Sequence, residues 1–212
     1  MRNPSYKGFS VIELMVVLAI IGVMCAMIAP AVSSAMADGR AADASVDIAR
    51  LANAARSEAN STGLAHILVY SAWQPGGGIG GDQPVGRLRL YRDVTNNLTS
   101  CNPANRWVFG SLTPIDEVNM ADYNIANSPH WITFEPVDSS NTVVTGSAVI
   151  DQICYQPDGR TMIRNVGDAS FGEAVSGVSN PIYAVFHKLS GTSSGVPRQV
   201  VFVFGGNARI RR

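Results

Sequence analysis

Nineteen residues, Leu14 to Val32, are nearly all apolar, broken only by Gly22 and Pro30, and a carboxylate, Glu13, stands at the head of the run. At 1.5 Å per residue such a helix nearly matches a hydrocarbon core of about 30 Å, so the stretch reads as a membrane helix. Glu13 is the residue that narrows the choice. Carried to the centre of a bilayer, a carboxylate costs about 2.5 to 3.5 kcal/mol, and less near the interface. Arg2 and Lys7 make a basic leader, and Ala29-Pro30-Ala31 has the small-x-small form of a secretory cleavage site. Neither a cleaved secretory signal nor an ordinary signal anchor gains anything from Glu13.

Lys7-Gly8-Phe9-Ser10-x-x-Glu13 resembles the class III leader of type IV pilins and type II secretion pseudopilins. The resemblance implies that a prepilin peptidase cuts after Gly8 and methylates Phe9, the new first residue. Residues 1–8 are then a leader and 9–32 a transmembrane and assembly helix. It also implies that Glu13 meets the N-terminal amine of a neighbouring subunit. A buried carboxylate is tolerable when an ammonium group lies within hydrogen-bond reach, so Glu13 would act as a register device. Gly22 and Pro30 fall where pilins commonly carry these residues, and both weaken helical hydrogen bonding. They are read as points of helix flexibility, with tolerated membrane-helix kinks as the alternative.

From Ser33 to Thr62 there is no proline, and Ala41, Ala44, Ile48, Leu51, Ala55 and Ala59 recur at three- and four-residue steps. That spacing predicts an amphipathic helix over 33–62. Gly63 is placed to end it. One helix is expected from Phe9 to about Thr62, with a break near Gly39 as the alternative.

Beyond Gly63 the period shortens. Candidate strands are Leu64–Ser71, Arg87–Arg92, Arg106–Phe109, His130–Glu135, Thr142–Ile150, Ile153–Gln156, Thr161–Arg164, Ile182–Lys188, Gln199–Phe204 and Ala208–Arg211. Pro157-Asp158-Gly159 and Gly205-Gly206-Asn207 are turn signals between them. Gln199–Phe204, apolar on both faces, predicts a central, covered strand. The expected fold class is α+β: a long N-terminal helix packed on a β domain, 63–212, of two antiparallel sheets. With 212 residues, one soluble domain and an anchor fit the length. Cys25 lies in the apolar run, which leaves Cys101 and Cys154 as a disulfide pair if the domain is extracytoplasmic, or two buried thiols otherwise.

Tyr155-Gln156-Pro157-Asp158-Gly159-Arg160, followed by a Val/Phe-rich strand, a glycine turn and a terminal Ala208-Arg209-Ile210-Arg211, resembles the GspH/FimT branch of minor pilins and pseudopilins, the FimU-like proteins. That resemblance implies a GspH-like fold and a structural subunit that helps prime or cap a type IV pilus. A minor pseudopilin of a type II secretion system is the alternative in the same architecture. The implied partners are other minor pilins or pseudopilins, the major pilin, the prepilin peptidase and the inner-membrane assembly platform. The implied location is the bacterial inner membrane, single-pass with a periplasmic domain, and then the pilus or pseudopilus tip. A third reading is DNA binding for transformation. Arg209, Arg211 and Arg212 form a compact cationic patch that suits phosphates, although Ala208 stands where FimT-like competence proteins carry glycine. Charges that merely protect a sheet edge are the alternative.

The remaining features indicate no chemistry. Sixteen basic and sixteen acidic residues cancel, which argues against a wholesale nucleic-acid binder or a polybasic membrane protein. His66, His130 and His187 are far apart in sequence and lack metal-ligand spacing, so each reads as a strand or surface histidine. Asp116, Glu117 and Asp122 form a loose acidic cluster that fits no calcium loop and reads as solvated charge. Pro75 to Asp82 is glycine-rich but lacks the Gly-Lys-Ser/Thr ending of a phosphate loop. No cofactor, no metal and no enzymatic function are expected.

Overall fold

A computed structural model describes residues 10–72, 86–92, 98–102, 107, 109, 112–125, 128–146, 149–173, 180–189, 192–203 and 206–211. The leader and Phe9, the glycine-rich stretch around Gly76, and Arg212 lie outside them. Helix α1 spans Val11–Thr62, 52 residues, and is continuous through Gly22, Pro30 and Gly39. Pro30 has no N–H, so the carbonyl of Ala26 goes without its helical donor. The chain divides into two compact units at Met36/Ala37.

In the first unit every described residue from Ser10 to Val32 is exposed. In the second, Ala37, Ala41, Ala44, Ile48, Leu51, Ala52, Ala55 and Ala59 are buried on one face of α1. Alanines on that stripe let the helix backbone lie close to the strands. Gly63 ends the helix with φ of +70°, the left-handed conformation glycine adopts without a Cβ penalty, and its N–H donates to Ala59 O at 3.2 Å.

Among the described residues ten strands follow: β1 His66–Ser71, β2 Arg87–Arg92, β3 Asp116–Asn119, β4 His130–Val137, β5 Ile150–Tyr155, β6 Thr161–Asn165, β7 Gly172–Glu173, β8 Ile182–Leu189, β9 Thr192–Val201 and β10 Arg209–Arg211. They form a six-stranded sheet ordered β3-β2-β1-β5-β6-β7 and a four-stranded sheet ordered β10-β9-β8-β4. All pairings are antiparallel. The expected architecture, a long N-terminal helix packed on two antiparallel sheets, is the one observed.

Period two divides the strands between two cores. Leu68, Tyr70, Leu88, Leu90, Ile132, Phe134, Ile153, Tyr155, Tyr183 and Val185 meet the alanine stripe of α1. Within that core the ring of Phe134 stacks on Tyr183 at 4.9 Å, and Tyr70 meets Phe134 edge-on at 5.6 Å, joining the two sheets. Ile67, Cys154 and Met162 face the other way, where Leu98, Cys101, Trp107 and Phe171 cover them.

Several strand expectations need correction. Among the described residues of Thr142–Ile150, Val143 makes an isolated bridge to Val137 and strand pairing begins at Ile150, so the expected strand is not seen there. Trp107 and Phe109, the described residues of the expected strand at Arg106–Phe109, pack as rings at 6.4 Å outside any strand. β9 begins at Thr192, seven residues earlier than its apolar part suggests. Among the described residues, strand β10 pairs with Gln199, Val200 and Val201, and the first part of β9 has no partner on that edge, where Pro197 is tolerated beside a bulge.

Candidate functional site

Helix α1 begins on its own cap. The N–H of Ser10 donates to Glu13 Oε2 at 3.1 Å, and the N–H of Ile12 donates to Ser10 Oγ at 3.3 Å. This is a capping box, Ser-x-x-Glu, in which side chains satisfy N–H groups that the first helical turn leaves free. Sequence reasoning assigned Glu13 to assembly alone and passed over the Ser10 to Glu13 spacing that signals the cap. A carboxylate accepts several donors, so capping leaves Glu13 capacity for another. Beyond it Val11, Ile12, Met15, Leu18, Met24, Met27 and Ile28 are more than half exposed, a continuous apolar surface that water does not support. The helix is long and apolar enough to cross a membrane. Cys25, on this stretch, is a free exposed thiol.

In the second unit, Cys101 and Cys154 are joined by a disulfide with a Cα–Cα distance of 6.1 Å. Cys154 sits on the strand face turned away from α1, and the bond ties the chain around Cys101 over that face. Arg209 and Arg211 lie on β10, an exposed edge strand, and alternate on one side of it, with Ile210 between them. The structure therefore brings these two arginines together.

The histidines are not isolated. His187 on β8 and His130 on β4 lie at the α1-facing phase of adjacent strands, and His130 Nδ1 is 2.7 Å from His187 Nε2. His187 Nδ1 is in turn 2.8 Å from Asp38 Oδ1 on α1. Burial, the neighbouring His187 and Arg40 all hold the His130 imidazole below its ordinary value, against a smaller opposite pull from Asp38. His66 pairs with Glu58 at 3.3 Å, and burial lowers it as well. All three are strand histidines, as expected; what the sequence spacing does not reveal is that strand pairing brings together His130 and His187, 57 positions apart. A usable signal existed: His130 shares its strand phase with Ile132 and Phe134, and His187 with Val185 and Tyr183.

Two members of the acidic cluster, Asp116 and Glu117, form ion pairs. Glu117 Oε2 accepts from Arg89 Nε at 3.0 Å across the β2/β3 ladder, and Asp116 Oδ2 accepts from Arg50 Nη1 on α1 at 3.4 Å. These carboxylates are ion-paired, not simply solvated. Among the described residues, no group of three or more His, Cys, Asp and Glu side chains is arranged to hold a metal ion.

A cleft of about 590 Å³ opens beside Tyr70, Glu135, Val144, Asp151 and Lys188. Its charges are unequally matched. Lys188 Nζ donates to Glu135 Oε1, while Asp151 is raised from its ordinary value by burial, with Arg164 acting in the opposite sense, and its buried Oδ1 has no hydrogen-bond partner among the described residues. The cleft therefore has largely apolar walls and one carboxylate oxygen left without a hydrogen bond.

Residues 3–29 match the family model described as the prokaryotic N-terminal methylation motif. No curated protein and no solved structure matches the chain. The matched range includes Gly8 and Phe9, the cap residue Glu13 and most of the exposed apolar surface, and the motif suggests a structural rather than an enzymatic protein. A prepilin-type methylation motif leading an apolar helix, with a two-sheet antiparallel domain behind it, supports a type IV pilin-like protein that assembles with other pilins after processing by a prepilin peptidase.

Proposed function

We propose that the chain is a minor pilin of the GspH/FimT kind, a non-enzymatic subunit that helps prime or cap type IV pilus assembly. The prepilin peptidase removes residues 1–8 and methylates Phe9. The helix then leaves the inner membrane for a bundle of its own kind, with Glu13 as the contact that sets its register. The carrying observation is Glu13 itself. It stands at the head of an exposed apolar helix, within the matched motif, where a carboxylate that caps its own helix keeps acceptor capacity for a neighbour's ammonium group.

Gly22 and Pro30 give that helix places to yield within a filament, since each weakens the hydrogen-bond ladder. The Cys101–Cys154 bond suits a domain in an oxidising periplasm. A minor pseudopilin of a type II secretion system shares every one of these features and is the alternative assembly. The test is Glu13→Ala: membrane insertion stays as in the unmodified protein and incorporation into the filament or tip complex drops sharply. Undiminished incorporation contradicts the role given to Glu13.

Exposure of Arg209 and Arg211 on one side of edge strand β10 favours a second reading, DNA capture through phosphates. Arg212 would extend the patch. Replacing Arg209 and Arg211 with Ala should then abolish binding of duplex DNA at low salt and leave stability within about 0.5 kcal/mol. Failure of the unmodified protein to bind at low salt ends that reading.

A further inference from the structure

The geometry points to a proton-sensitive clasp, made by Asp38, His187 and His130, that fixes the start of the domain's part of α1 to the four-stranded sheet and releases it on acidification. The three side chains come from three elements: Asp38 from α1, His187 from β8 and His130 from β4. Their contacts form a chain, Asp38 Oδ1 to His187 Nδ1 at 2.8 Å and His187 Nε2 to His130 Nδ1 at 2.7 Å. A carboxylate only accepts, so His187 donates through Nδ1–H. In neutral His187 the Nε2 is then an acceptor, and His130 must donate to it through Nδ1–H.

Proton counting decides the behaviour. The two rings hold two protons when neutral, one on each Nδ1, and both contacts are made. A third proton, on His130 Nε2, leaves both contacts intact. A fourth places N–H against N–H between two cations at hydrogen-bond distance: the contact between the rings is lost, Asp38 still accepts from His187, and two buried cations beneath α1 with one carboxylate between them reach water only where the helix lifts from the sheet. Both imidazoles are nearly buried, at 8 % and 4 % exposure, so water compensates little for the added charge. The charged groups bearing on His130 are Asp38, which favours its protonation, and Arg40, which opposes it. Arg40 is itself engaged, donating through Nη1 to Tyr123 O at 2.9 Å. Lys188, next to His187, is directed to Glu135 instead. A serine, asparagine or glutamine at either histidine position would hold the same helix without any dependence on pH. This inference stands whether or not the chain is a pilin.

The experiment is amide hydrogen exchange of the full chain in detergent micelles, corrected for intrinsic rate, between about pH 7.5 and about pH 5. Exchange over Ala37–Ser45 is expected to accelerate about tenfold or more on acidification, while Leu51–Ala59 changes less than about threefold. His130→Gln and His187→Gln keep one hydrogen-bonding side chain at each place and should make Ala37–Ser45 insensitive to pH. His66→Gln should leave its response as it was. Asp38→Asn, at a half-exposed position that tolerates change, removes the charge favouring protonation of the rings in place and should shift release to higher pH. Acceleration spread evenly along the helix, an undiminished response in His130→Gln, or release at lower pH in Asp38→Asn would each overturn the clasp.

Discussion

Cys101 is bonded to Cys154 over a sequence separation of 53, and the bond holds the segment carrying Leu98 and Trp107 onto the strand face opposite α1. Closing a loop of that length in the unfolded chain corresponds to about 4 kcal/mol in the chain-entropy account. Replacing both cysteines with Ser should lower unfolding free energy by roughly 2 to 5 kcal/mol in denaturant titrations. Reductant should destabilise the unmodified protein and leave the double variant unchanged. Equal stability of the two proteins without reductant would show that the segment holds its place without the bond.

Gly86 and Gly159 both have strongly positive φ, +83° and +86°, but only Gly86 is crowded. A Cβ there would sit 2.2 Å from Phe134 O, whereas nothing lies within 4 Å of one at Gly159. Gly159→Ala should cost about 1 kcal/mol, the strain of the left-handed backbone alone. Gly86→Ala adds a clash with an edge of β4 and should cost upward of about 2 kcal/mol by the same thermal or denaturant measurement. Similar losses for the two would mean that β4 moves aside without resistance.

Four of the six tyrosines, Tyr70, Tyr123, Tyr155 and Tyr183, are held above the ordinary phenol range, burial being the first cause in each. Tyr123 is further held there by donating to Asp47 Oδ2 at 2.6 Å. An alkaline titration followed by near-ultraviolet absorbance should therefore show these four phenols ionising only as the domain unfolds. Smooth ionisation of all six in the folded protein would contradict the placement of the aromatic core.

Stability should fall as pH drops below about 6.5, the ordinary histidine value. His66 and His130 are both held lower than that in the folded chain, so the unfolded chain binds protons first and acid favours unfolding. Asp151 acts in the opposite sense, since its raised value lets the folded chain take up a proton before the unfolded one. Its contribution enters at lower pH, near the carboxylate range. Thermal midpoints should decline from about pH 7 to about pH 5, and substituting both His66 and His130 with Gln should flatten the decline.

The helix was readable because its signals are local. The alanine stripe, Gly63 and the change of period after it each lie within a few residues of what they determine. The turn at Pro157-Asp158-Gly159 was readable for the same reason: Gly159 takes the positive φ it needs and its N–H returns to Gln156 O at 3.0 Å. Strand β3 was not, since Asp116-Glu117-Val118-Asn119 has a single core residue and charges that only its neighbours Arg89 and Arg50 explain. Thr192 to Arg198 failed in the opposite way, because among the described residues one of its edges has no partner strand and admits residues a central strand excludes. The meeting of His130, His187 and Asp38 depends on strand register and helix docking together, and no short window contains it. At Glu13 the local signal was present twice over, as a leader residue and as half of a capping box, and one meaning hid the other.

The processing of the N-terminus tests the central claim most directly. The mass of the protein recovered from membranes of cells that contain a prepilin peptidase should correspond to a chain beginning at N-methylated Phe9. A chain beginning at Val32, cut after Ala31 as a secretory signal would be, or one retaining Met1 without methylation, would contradict the account.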